Sequence, residues 1–115
     1  MTLTIEVEQK VWEQKYDIVL KTPVGPRYGT MEVHQEQGEL DGFFNVLMEK
    51  NRFHGSVDEG NHCEITGNLK TLMRTVVYSA SGEVTKESIC LRMNVGNDVL
   101  EVNGTALTKE KEVRL

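Results

Sequence analysis

Three histidines, His34, His54 and His62, together with Cys63, have the side chains from which a transition-metal site or a nucleophile with its base is built. Zinc needs three or four such ligands converging on one point. Alternation along the chain places His34 and His54 on the outward parity of different strands, His62 in a turn and Cys63 on the inward parity. No three converge, so neither a metal site nor a catalytic centre is expected. His34 falls opposite Asp41 across a tight hairpin, an arrangement that orients an imidazole for acid-base work. Its next outward neighbours, Glu32, Phe43, Lys15 and Gln35, include no nucleophile, and a cross-strand charge pair on a solvent face accounts for it. The turn Asp58-Glu59-Gly60-Asn61 carries oxygen ligands but lacks the long spaced loop and distal glutamate of a calcium site. Tyr16, Tyr78 and Arg74, with Gln14, are the residues that a site at the mouth of a barrel would draw on, to hold a small apolar ligand or, alternatively, to run a reaction. No cofactor is called for.

The elements that must position these residues follow from a period of two that runs from end to end. Tyr16, Ile18 and Leu20 share a parity, as do Met31 with Val33, Phe53 with Val57, Cys63 with Ile65, and Ile89 with Leu91 and Met93, while their neighbours are mostly polar. Such sets mark half-buried strands. Leu3, Ile5 and Val7 begin the pattern. Pro23-Val24-Gly25-Pro26, Gln37-Gly38, residues 58–62 and Gly96-Asn97-Asp98 break it as turns. Eight or nine short antiparallel strands result, and the fold class is all-β, an up-and-down meander. Residues 42–50 also fit a helix capped by Asp41, with Phe43, Phe44, Leu47 and Met48 at helical spacing. The parity of Leu40, Phe44, Val46 and Met48 favours a strand through the same residues.

An apolar residue, any residue, then glycine recurs at 40–42, 53–55, 65–67, 80–82 and 102–104. Glycine within a strand marks a bend or a close backbone approach, and its repetition in successive strands suggests a sheet coiled tightly enough to close into a barrel. Gly82 is read as a turn residue and the other four as strand residues. Counting outward from the turns sets Val33 against Gly42, Met31 against Phe44, Gly55 against Ile65 and Phe53 against Gly67. A four-residue loop over 96–99 sets Leu91 against Gly104 and Met93 against Val102. Each inward glycine thus faces a bulky neighbour, which favours a filled interior.

The chain has 115 residues, enough for one domain, taken as 1–108 with a charged tail at 109–115. Eighteen acidic and 13 basic residues give a net charge of −5. The basic residues are scattered singly, so no nucleic-acid groove and no anionic-membrane patch is indicated. The longest apolar run, 43–48, is broken by Asn45 and far too short to span a bilayer. With no basic start or continuous apolar stretch at its N-terminus, the chain is expected in the cytoplasm, with Cys63 and Cys90 reduced.

A meander of short strands with glycine-rich turns resembles the calycin-type barrels, the group of lipocalins and avidins. Gly29-Thr30-Met31 stands where those families carry Gly-x-Trp, with Met in place of Trp, and the only tryptophan, Trp12, lies upstream. Arg92, on the outward parity, is no counterpart of the family's late arginine. Gly-x-Leu-x-Gly followed by Phe-x-Gly-x-Val is similar to small uncharacterised bacterial barrels described as lipocalin-like. The resemblance implies the fold and carries over no ligand-binding residue. On the outward parity, Val19, Phe43 and Leu47 are apolar, and such a face is expected to pair two copies of the chain. Two functions follow: a non-enzymatic barrel that binds a small apolar ligand or a protein partner, or an enzyme with a site at the barrel mouth around Tyr78 and Arg74.

Overall fold

A computed structural model describes residues 11–71 and 73–107. Each alternating segment in that span is a strand: β1 (Val11–Thr22), β2 (Gly25–Glu36), β3 (Glu39–Val46), β4 (Glu49–Val57), β5 (His62–Lys70), β6 (Thr75–Val84), β7 (Ser88–Val95) and β8 (Asp98–Ala106). Strands adjacent in sequence pair antiparallel, and β8 returns to β1, so the sheet closes as an eight-stranded barrel. The closing ladder joins Tyr16 to Ala106 at one end and Lys21 to Glu101 at the other. The all-β meander is therefore the observed fold. The alternation over 1–10 and the charged tail at 109–115 lie outside the described residues.

Residues 42–50 form no helix and no single strand. Leu47 and Met48 make a two-residue turn between Val46 and Glu49, with φ of 57° and 66°. Both sit in the left-handed region that such hairpin turns require and that Asn-Gly fills most easily. Gly82 is not a turn residue either: it pairs with Cys63 on one side and Leu91 on the other, and the turn follows at 85–87. The β7–β8 hairpin is tighter than a four-residue loop. Gly96, with φ of 60°, takes the first central position of a two-residue turn, Val95 pairs with Asp98, and the ladder shifts so that Leu91 meets Val102 and Ile89 meets Gly104. The registers expected for β2–β3 and β4–β5 are those observed.

One side chain in two from every strand points inward. Tyr16, Ile18, Met31, Phe44, Phe53, Ile65, Tyr78, Leu91, Met93 and Val102 are all buried in one cluster. Phe44 meets Phe53 at 5.5 Å between ring centroids and Tyr78 edge-on at 5.9 Å, both within the favoured range for aromatic pairs. The barrel axis is filled by side chains. The β1–β2, β3–β4, β5–β6 and β7–β8 connections gather at what we term the upper end; the other three, with the start of β1 and the end of β8, form the lower end.

Candidate functional site

The tyrosines expected at the barrel mouth are core residues. Tyr16 donates its hydroxyl to the Thr85 carbonyl, tying β1 to the β6–β7 connection at the lower end. Tyr78 is buried against Phe44, and no described residue partners its hydroxyl. Burial drives both phenols well above their ordinary pKa, so neither exchanges a proton near neutrality. Arg74 is exposed on the β5–β6 connection, where its carbonyl accepts from the Thr71 backbone N–H and hydroxyl. The three share no groove, and nothing among them forms an acid-base pair. A buried hydroxyl without a partner costs about 1–3 kcal/mol. Tyr78→Phe is therefore expected to raise stability by about 1 kcal/mol in urea denaturation, and Tyr16→Phe to lower it by a similar amount. The same sign for both would contradict this hydrogen-bond assignment.

Cys63 is buried and Cys90 exposed, on opposite sides of the wall. Burial pushes the Cys63 thiol up to about 11, so it is no nucleophile at neutral pH. His62 is exposed, with its Nδ1 at 3.8 Å from an Asp58 carboxylate oxygen. Among the described residues, no group of three or more His, Cys, Asp or Glu side chains is arranged to hold a metal ion.

The structure does gather polar chemistry on the outer surface of β1–β4. Register aligns Glu13, His34, Asp41 and His54 in one row across four strands, and Lys15, Glu32, Phe43 and Arg52 in the next. An open groove of about 730 Å³ runs over all of these but His54. His34 lies opposite Asp41 as expected, but its ring is oriented by two glutamates, Nδ1 at 2.9 Å from Glu13 and Nε2 at 3.2 Å from Glu36. Donation from both nitrogens is the geometry of the imidazolium. Hydrogen bonds to Glu36 and then Glu13 raise its pKa above the ordinary 6.5, helped by the Asp41 charge. These contacts stabilise the fold fully below about pH 6.5, and the contribution disappears as pH rises through the folded pKa. In urea titrations between about pH 6 and 8, the wild type should lose this component while His34→Gln lacks it. Parallel pH profiles would exclude the contact.

Gln35, expected on this outer face, is turned inward and buried. Phe43 is partly covered by its own neighbours: the Lys50 ammonium lies 4.4 Å from its ring centroid and the Arg52 guanidinium 6.0 Å, both within cation–π reach. Asn45 braces the row above, donating to Thr30 Oγ1 and Glu32 Oε2 at 3.0 Å. The three outward apolar residues do not form one patch. Val19 pairs with Tyr28, four residues along and two strands from Phe43, roughly 13 Å by 10 Å on sheet spacings. Leu47 sits at the upper-end turn and packs against the core.

Asn51 is a buried polar residue whose role alternation does not reveal. Its Nδ2 donates to the carbonyls of Phe44 and Glu49, and its Oδ1 accepts from the Lys70 N–H, lacing β3, β4 and β5 together near the upper end. The signal was a single Asn on the inward parity of β4. No protein-family model, curated protein or solved structure matches the chain.

Proposed function

We propose that this protein is a non-enzymatic binding module that makes its contacts outside a filled barrel, in the groove across β1–β4. The observation that carries the reading is the interior itself: Phe44, Phe53, Tyr78 and Met93 are buried along the axis, so a central ligand would have to displace them. A groove of about 730 Å³ falls within the roughly 300–1,000 Å³ of small-molecule sites. Phe43 supplies an aromatic face at its floor, and Arg52, His34, Asp41 and Glu32 supply groups of both signs to orient a small, partly apolar molecule. The enzyme alternative draws no support from two buried phenols and a distant, exposed Arg74.

The architecture is compatible with calycin-like barrels. We read the likeness as one of scaffold, since Met31, where those families have Trp, is packed in the core. Ligand-observed NMR against small aromatic fragments tests the groove. Binders should be found that are lost in Phe43→Glu; an empty screen, or binders that persist in that variant, would overturn the reading. Sedimentation velocity of the same variant should show an unchanged species, and a dimer reduced to a monomer would instead assign this face to a second copy.

A further inference from the structure

We propose that the upper end of the barrel docks onto an anionic lipid surface, with the tips of its connections entering the headgroup layer; this is independent of the groove across β1–β4. Three of the four connections at that end present an apolar side chain to solvent, and the fourth is followed by one on its strand. Val24 in the β1–β2 turn is 76% exposed, Met48 in the β3–β4 turn 98%, Met73 in the β5–β6 connection 88%, and Val99, just past the β7–β8 turn, 58%. The lower end has its exposed apolar residues at the start of β1 and past the end of β8, where Val11 is 51% and Leu107 38% exposed, and not on its connections. Its connections are Gln37-Gly38, Asp58-Glu59-Gly60-Asn61 and Thr85-Lys86-Glu87, with no apolar side chain among them.

Charge divides the same way. Within three residues of the upper connections lie Lys21, Arg27, Lys50, Lys70 and Arg74, against Glu49 and Asp98, a net charge of +3. Lys70 and Arg74 make no ion pair with any described residue, while Lys21 lies 3.9 Å from Glu101. The same span at the three lower connections holds eight acidic residues and Lys86, a net charge of −7. In a chain of net charge −5, the fold has drawn its cations around the exposed apolar tips.

The β3–β4 turn adds an independent observation. Leu47 and Met48 both occupy the left-handed region, at φ of 57° and 66°, where Asn-Gly would be less strained. The tip therefore presents methionine to water at a conformational cost, the kind of outlier that points to use.

The occupant follows from shape and charge. The tips stand on three separate connections and at the start of β8 around the end of the barrel, and Met48, 98% exposed, touches almost nothing of its own molecule. A fluid bilayer conforms to separated apolar points and supplies the anionic headgroups that a cationic collar attracts. A second copy placed end to end the same way would oppose like charges. Placed head to tail, opposite charges would meet, but Met48 and Met73 would be set against carboxylates with no apolar partner on the lower connections.

Co-sedimentation with vesicles is the test. The protein should pellet with vesicles of phosphatidylcholine containing phosphatidylserine, much less with phosphatidylcholine alone, and less as salt is raised. Met48→Glu with Met73→Glu should weaken binding at least about tenfold, and Lys70→Ala or Arg74→Ala about fivefold each, all with unchanged far-UV circular dichroism because these side chains are exposed. Absence of binding to the anionic vesicles, equal binding to both kinds, or binding indifferent to the methionine pair would overturn the proposal. A dimer in sedimentation velocity that dissolves in the methionine variant would overturn it too, by giving this end to a second copy.

Discussion

Gly82→Ala is expected to destabilise the barrel by about 3 kcal/mol or more, the range of overpacked sites that cannot relax. Gly82 lies in mid-strand between β5 and β7. A methyl there would overlap the Cys90 carbonyl oxygen and lie 2.9 Å from both the Cys90 carbonyl carbon and the Leu91 Cα. These are backbone atoms of the neighbouring strand, so relief requires opening the β6–β7 ladder rather than turning a side chain. At about 4 °C or more per kcal/mol for a domain of this size, the melting temperature should fall by more than about 10 °C. Gly60→Ala is the control: its new methyl meets only side-chain atoms of Asp58 and His62 at 3.5 and 3.7 Å, and its effect should stay within about 0.5 kcal/mol. Equal melting temperatures for the two variants would show that β6 does not need to approach β7 so closely.

Phe44→Ala should cost about 3–5 kcal/mol, as for other buried phenylalanines truncated to alanine. The ring contacts Phe53 on β4 and Tyr78 on β6, so its removal takes the shared member from two aromatic pairs as well as leaving a void. The variant also bears on function. A cavity lined by apolar side chains stays dry and accepts a small apolar guest, so benzene should raise the melting temperature of Phe44→Ala and leave that of the wild type unchanged. A wild type stabilised to the same degree would reveal a chamber already present and remove the basis for contacts made outside the barrel.

The inward set was legible because its signal is local. Tyr16-x-Ile18-x-Leu20 or Ile89-x-Leu91-x-Met93 states its own face, and Gln37-Gly38 sets its hairpin's register by residue type. The β3–β4 turn was not legible. Leu47 and Met48 carry none of the chemistry that marks a turn, and the apolar parity running through them mimics both a longer strand and a helix. At 96–99 the presence of a turn was clear but its length was not; a two-residue turn in place of four moved Met93 from Val102 to Leu100. The candidate site was less legible still. Tyr16 and Tyr78 look like polar groups for a barrel mouth in the sequence, yet their positions along β1 and β6 sink them into the core. The ring of His34 was captured by Glu13, distant in the chain, and by Glu36, two residues away, rather than by Asp41 opposite. The cationic end has no linear signature at all, because its five basic residues come from three different hairpins.

The ladder between β1 and β8 couples Tyr16 to Ala106 and Lys21 to Glu101, so the sheet cannot close until the last strand has been synthesised. Until then β1 and β7 each present an unpaired edge, the feature that most readily recruits another chain. Contacts between such remote residues also slow folding. Synthesis of β8 is thus the step that ends the period in which this protein is open to pairing with its neighbours, and a chain truncated before residue 98 would remain in it permanently.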